Sequence, residues 1–268
     1  MSRRFGRRRA QRGVSLVETV TATVIFTAVI AGTAALTSVV FRTNTRAMVE
    51  APMANASRSS LDELNFQLRG GTAVVPSFTA NSLTYSSTTT SVALKSQAFN
   101  TTLANPIISG VFDYVGFTYD STAHQLTETI LPGTGGTRPA RNSFVIAKNV
   151  SAVTFSYLAR NQFTAASSSS TVFSLSALPI ATPTVYINGA QTSNFSWSAG
   201  SQQVTVNGLV SGSDVQVVYT VSPTASSGVA LNAVTQVTAR LDLQKTDGMN
   251  ITRTFTLEAG ARLRNQRI

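Results

Sequence analysis

The sequence predicts an α+β protein: one long N-terminal α-helix, a transmembrane half followed by an amphipathic half, packed on an antiparallel β-sheet with an inserted β-rich module. Three observations predict it. An uncharged run of 23 residues, Thr19 to Phe41, passes into a segment of helical apolar spacing that stops at Gly70-Gly71. From Thr72 the pattern changes to period two with short turn signals. A Ser- and Pro-containing stretch at 161–232 then interrupts that pattern with turns of its own.

Composition narrows the function classes. The 268 residues allow one large domain or two small ones. Only 12% are charged and 43% are hydrophobic, too apolar for a disordered chain, while Ser and Thr make up about a quarter of the chain. The absence of Cys removes disulfides, thiolate metal sites and Cys nucleophiles, and the single His124 removes imidazole clusters. The net charge of +10 is local: six of the 21 basic residues are Arg3, Arg4, Arg7, Arg8, Arg9 and Arg12. A nucleic-acid reading therefore does not follow from the charge alone.

The first element is a basic leader, 1–13, followed by Gly13-Val14-Ser15-Leu16-Val17-Glu18 and the uncharged run. At about 1.5 Å per residue, Thr19 to Phe41 spans roughly 34 Å as a helix, enough for a bilayer core of about 30 Å. Seven of its residues are Ser or Thr, whose hydroxyls can bond back to backbone carbonyls. The positive leader places the N-terminus in the cytoplasm. Three readings compete. The segment is a secretory signal cut near Ala35, or a plain signal anchor, or a span in which Glu18 has a function. An ionisable group at the edge of a span costs free energy and needs a reason.

The helix is expected to extend to about Arg69, over 14–70. Met53, Ser57, Leu61, Leu64 and Leu68 recur at helical spacing, and Arg58, Asp62, Glu63 and Arg69 lie off that stripe. Pro52 and Gly32 are its weak points. Next come alternating runs. Ser82–Ser86 and Ser91–Lys95 read as a hairpin, as do Val111–Tyr119 with Gln125–Ile130. Phe144–Val150 leads into Val153–Leu158, and Val234–Leu243 with Ile251–Leu263 forms a last hairpin. These strands define a β domain over 71–160 and 233–268. The intervening 161–232 carries the turn signals Asn188-Gly189 and Asn207-Gly208 and the aromatics Tyr186, Phe195 and Trp197. It reads either as a module with those aromatics as contact anchors or as a loop packed back on the main sheet.

The hexapeptide Gly13–Glu18, after a short basic leader and before an uncharged run, resembles the class III signal of type IV pilins and type II secretion pseudopilins. The resemblance implies that a prepilin peptidase cuts between Gly13 and Val14 on the cytoplasmic face and methylates the new amine. It also implies that Glu18, fifth in the mature chain, serves assembly beside other pilins or pseudopilins at an inner-membrane platform. Val14 departs from the usual Phe. A buried carboxylate needs a partner, and the α-amine of Val14 on a neighbouring subunit would supply one, setting axial register as a polar group does in a coiled coil. Val145 to Tyr157, Phe255-Thr256-Leu257 and Ala261 to Asn265 are similar to stretches of J-type minor pseudopilins and W-type minor pilins.

No G-x-S-x-G, H-E-x-x-H, P-loop, EF-hand or G-x-G-x-x-G string occurs, so no catalytic residue, metal or cofactor is expected. His124 sits in a turn-like context; Asp242 and Asp247 flank a hairpin turn. Arg262, Arg264 and Arg267 admit DNA phosphates as a ligand, with a charged sheet edge that blocks aggregation as the plainer account. The expectation is a non-enzymatic minor pilin or pseudopilin, single-pass in the bacterial inner membrane, extracytoplasmic after assembly. The alternative is a membrane-anchored β-domain that binds a surface ligand without a filament.

Overall fold

The computed structural model describes residues 15–104, 106–166, 169–223, 231, 233–246, 250 and 252–264. The chain divides into two compact units, Met1–Ala51 and Pro52–Ile268. Helix α1 (Leu16–Gly70) is followed by the strands β1 (Gly71–Val74), β2 (Ser77–Ala80), β3 (Leu83–Ser86), β4 (Ser91–Phe99), β5 (Ile107–Asp120), β6 (Gln125–Leu131), β7 (Arg141–Lys148) and β8 (Val150–Thr164). Then come β9 (Ser169–Ser174), β10 (Thr184–Ile187), β11 (Ala190–Thr192), β12 (Phe195–Trp197), β13 (Gln203–Leu209), β14 (Asp214–Val221), β15 (Val234–Thr246) and β16 (Thr252–Arg262). The chain is thus α+β, but mostly sheet. All strand pairings between these elements are antiparallel.

Helix α1 ends where the glycines predict. Gly70 is its last residue and Gly71 opens β1. Pro52 lies inside the helix without ending it. In the second unit its buried side chains are Met53, Ser57, Ser60, Leu64, Gln67 and Leu68. Leu61, expected on that stripe, is only partly buried. The buried stripe is seated on a five-stranded sheet of order β1-β4-β5-β6-β7. Ser60 Oγ donates to the Ile146 carbonyl of β7, and the Glu63 carboxylate accepts from Arg141 at 2.7 Å.

The other face of this sheet is covered by a β2–β3 hairpin. Phe78 stacks on Tyr85 at 5.2 Å and on Tyr114 at 5.5 Å. A Cβ on Gly116 of β5 would meet the Phe78 and Tyr85 rings at 3.1–3.2 Å, so a glycine lets the aromatics lie on the strand. This arrangement replaces the expected hairpin of Ser82–Ser86 with Ser91–Lys95. β3 pairs with β2, and β4 lies between β1 and β5. Burying Tyr85 against Gly116 requires β3 to lie over the sheet rather than in it. Asn81 and Ser82, both at positive φ (50° and 65°), make the tight turn that brings β2 and β3 together.

A second sheet has the order β11-β10-β14-β8-β15-β16. β5 with β6 and β15 with β16 form the hairpins that the alternation predicts. The boundary expected at 160/161 falls inside β8. β14 runs beside β8 from Asp214 opposite Thr164 to Val221 opposite Tyr157, and β15 takes the other side of β8. Strands of 161–232 therefore share a sheet with β8, β15 and β16. The remainder of that stretch contributes a three-stranded sheet, β12-β13-β9, in which Phe173 stacks on Phe163 of β8 at 4.8 Å. Tyr157 ties β8 to the β3–β4 turn: its hydroxyl donates to the carbonyls of Thr88 and Ser91 at 2.8 Å.

Candidate functional site

The N-terminal residues singled out by sequence fall on two sides of the described chain. Gly13 and Val14 lie outside the described residues. Glu18 lies in the first turn of α1 and takes part in a reciprocal cap. Ser15 N–H donates to Glu18 Oε2 at 3.1 Å, and Glu18 N–H donates to Ser15 Oγ at 3.1 Å. Ser-x-x-Glu at a helix start is a capping box; it satisfies two backbone donors that the helix itself leaves open. The carboxylate also sits at the positive end of the helix dipole. The sequence reading of Glu18 missed this local role, although the Ser15-to-Glu18 spacing carries the signal.

Beyond Glu18 the helix satisfies its threonine hydroxyls from its own backbone. Thr19, Thr21, Thr23, Thr27, Thr33, Thr37, Thr43 and Thr45 each donate to the carbonyl four residues earlier, at 2.7–3.2 Å. Each threonine thereby presents a methyl group outward. Every residue from Leu16 to Phe41 is exposed, including Val24, Ile25, Phe26, Val29, Ile30 and Leu36. One helix near the N-terminus is thus long and apolar enough to cross a membrane. Its surface is an apolar column with one carboxylate at its head.

The second unit holds a polar cluster that sequence alone does not reveal. Arg141 Nη1 bridges Glu63 of α1 and the fully buried Glu128 of β6, at 2.7 and 2.5 Å. Gln67 donates to Glu63 at 3.0 Å and accepts from Arg138. Arg138 also donates to Ser96 Oγ and lies 3.6 Å from Asp113 Oδ2. Asp113 is fully buried, and its other oxygen accepts from Gly133 N–H at 2.7 Å. A Cβ on Gly133 would meet Val111 Cγ1 at 2.6 Å and the Phe112 carbonyl at 2.7 Å, so only glycine allows that approach. Burial raises the Glu128 pKa, opposed by its hydrogen bond to Arg141. The hydrogen bond that Arg141 donates to Glu128 in turn holds Arg141 more firmly protonated. Two arginines thus clasp two helix residues, 63 and 67, to strands β4, β5 and β6. The cluster has the form of a structural clasp.

Other sequence candidates resolve into local roles. His124 is an exposed turn residue at φ 53°, its Nδ1 3.3 Å from the Val150 carbonyl. Asp242 accepts from Thr256 Oγ1 at 2.6 Å, which, with Arg240 nearby, lowers its pKa; Asp247 is outside the described residues. Phe195 and Trp197 lie opposite Val206 and Val204, both fully buried, so the two rings share a face with the three-stranded sheet's own core. Trp197 Nε1 donates to the Ser201 carbonyl at 2.9 Å. Tyr186 is half-buried on β10. Arg262 and Arg264 are exposed at the end of β16, and Arg267 is outside the described residues. Among the described residues no group of three or more His, Asp or Glu side chains is placed to hold a metal ion. A comparison of the chain with known protein families, curated proteins and solved structures finds no match.

Proposed function

We propose that this chain is a minor pilin- or pseudopilin-like subunit: a non-enzymatic, structural component of a type IV pilus-like or type II secretion filament. The observation that carries this reading is Glu18, one carboxylate at the head of an exposed, uncharged stretch of helix whose threonine hydroxyls bond to its own carbonyls. Such a column gains from lipid or from neighbouring columns, and a carboxylate at its head gains from a fixed positive charge. Cleavage after Gly13 would create that charge at Val14. The amine of one subunit would then meet Glu18 of the next and set their axial register. The partners on this reading are a prepilin peptidase, other pilins or pseudopilins, the assembly platform and the bilayer of a bacterial inner membrane.

The capping box favours a second reading. Glu18 has a use within its own chain, so a plain membrane anchor bearing a ligand-binding β-domain also accounts for it. N-terminal peptide mass analysis of membrane fractions separates the two. Filament assembly requires a chain that begins at N-methylated Val14. A chain that begins near Leu36, or one that retains the Arg-rich leader, overturns the filament reading.

A further inference from the structure

The second unit has an open groove where the chain passes from one large sheet to the other. Asn149, at φ 59°, follows β7 of the five-stranded sheet and turns the backbone into β8 of the six-stranded one. Its carbonyl accepts from Gln244 N–H at 2.7 Å, which brings the end of β15 beside the end of β7. Lys148 and Lys245 are the neighbours of those two bonded residues, and both line the groove. Helix α1 contributes the small side chains Ala56, Ser57 and Ser60 to the same lining, which leaves a volume of about 360 Å³. That is within the range of small-molecule sites.

The groove is apolar along its length and basic at its rim. Met53, Val145 and Leu243 supply apolar surface. Ser57 Oγ donates to the Met53 carbonyl and Ser60 Oγ to the Ile146 carbonyl, so the two hydroxyl protons are spent within the chain. The charged donors left for a ligand are the ammonium groups of Lys148, which is exposed, and Lys245, which is half-buried. Neither lysine forms an ion pair among the described residues, and no described acidic side chain lines the groove.

Two unpaired cations beside an apolar surface match a ligand that carries an anion and an apolar tail together. A bare anion would leave the apolar surface in water, and a neutral amphiphile would leave the ammonium groups unmatched. The chain has one helix long and apolar enough to cross a membrane, so phospholipid is the amphiphile at hand. We propose that this groove binds one anionic phospholipid, with its phosphate at Lys148 and Lys245 and the first part of its acyl chains along Met53, Val145 and Leu243. The inference holds whether or not the chain assembles into a filament.

The test titrates the full chain, in neutral detergent, with dihexanoyl phosphatidylglycerol, dihexanoyl phosphatidylcholine and inorganic phosphate. Native mass spectrometry counts the bound lipid, and thermal unfolding of the β region reads its effect. One phosphatidylglycerol per chain is expected, with a rise of a few degrees in the midpoint, and no comparable rise with the other two probes. Lys148→Gln and Lys245→Gln should each weaken phosphatidylglycerol binding about fivefold, and the double variant about twenty-five-fold. The unliganded midpoint should stay where it is, because neither lysine has an ion-pair partner to lose. Ala56→Trp fills the groove without changing its charge and should abolish binding; the lysine variants carry the test alone if the larger side chain disturbs folding. Equal binding of phosphatidylcholine overturns the proposal. So does phosphatidylglycerol binding that the double lysine variant leaves unchanged, which would place the lipid on the apolar helix. A midpoint rise as large with inorganic phosphate would reduce the groove to a bare anion site and overturn the lipid. Displacement of the lipid by an acidic peptide at lower concentration would assign the groove to a protein partner and overturn it equally.

Discussion

The two parts of α1 are built of the same secondary structure and held by opposite means. From Leu16 to Phe41 every side chain is exposed, and the side-chain hydrogen bonds run to carbonyls one turn back. From Pro52 to Gly70 the helix buries a stripe and bonds to residues 71 to 86 positions away. The first part is specified locally and is indifferent to the β region; the second exists as a packed element because the sheet supplies its partners. Helical spacing in a sequence therefore does not say what stabilises the helix. The residues along it do: hydroxyls that can fold back in one part, Glu63, Gln67 and a buried Leu pair in the other.

Substitutions can break this contrast in a graded way. The largest effect is expected at Leu64, which is fully buried. Leu64→Ala should lower the unfolding free energy by about 3–4 kcal/mol, whereas Leu36→Ala, in the exposed part, should change it by less than about 0.5 kcal/mol. Denaturant unfolding in detergent measures both, and equal losses would show that the two parts are not independent. Arg141→Met comes next. It leaves Glu128 buried without its cation, and about 2–3 kcal/mol is expected, less than the full cost of orphaning a buried charge because a third of the Arg141 side chain is exposed.

The same clasp gives a pH signature. The folded-state pKa of Glu128 is raised above its ordinary value of 4.5 by burial. The folded chain therefore holds this proton more tightly than the unfolded chain. The Glu128 contribution favours the folded state below pH 4.5 and is lost as pH rises through the raised folded pKa. Unfolding titrations should show that component in the native chain, and Glu128→Gln should remove it; a pH profile identical in both chains would exclude the burial account.

Smaller effects sharpen the contrast. Ser60→Ala removes the donor to Ile146 and should cost about 1 kcal/mol by thermal unfolding. Thr27→Val removes a hydroxyl bonded only within its own helix. Unfolding of the β region should not change by more than about 0.5 kcal/mol, and flotation with vesicles should be as strong or stronger. Reduced flotation would mean that the hydroxyl serves a neighbour rather than its own carbonyl.

Much of the fold is legible in the sequence where the signal is local. The stop at Gly70-Gly71, the back-bonded threonines and the β5–β6 and β15–β16 hairpins all follow from residues within a few positions of one another. What is not legible depends on distant partners. Gln125 to Ile130 reads as a strand, but nothing near Glu128 in the sequence shows that its carboxylate is buried and paired, because Arg141 arrives from β7 and Glu63 from α1. Tyr85 leaves the plane of β4 because Gly116, thirty-one residues later, offers a flat surface. The pairing of β8 with β14 joins segments separated by fifty residues or more, and alternation carries no information on which strand neighbours which. Of the candidate site, Glu18 was conspicuous as a lone charge, while its cap with Ser15 lay in the same four residues and was overshadowed by the apolar run behind it.

The bond from Ser60 to Ile146 spans 86 residues, and its consequence is a matter of timing. A ribosome adds about 5–20 residues per second, so on the order of ten seconds separate the two partners during synthesis. Over that interval the stripe from Met53 to Leu68 has been made and the strand that receives it has not. The helix must wait with its apolar face uncovered, beside an already greasy neighbour, until β7 emerges. Chains arrested before Arg141 should accordingly bind hydrophobic dye or a holdase, and chains released beyond Lys148 should not; equal binding by both would show that this part of the helix finds its shelter elsewhere.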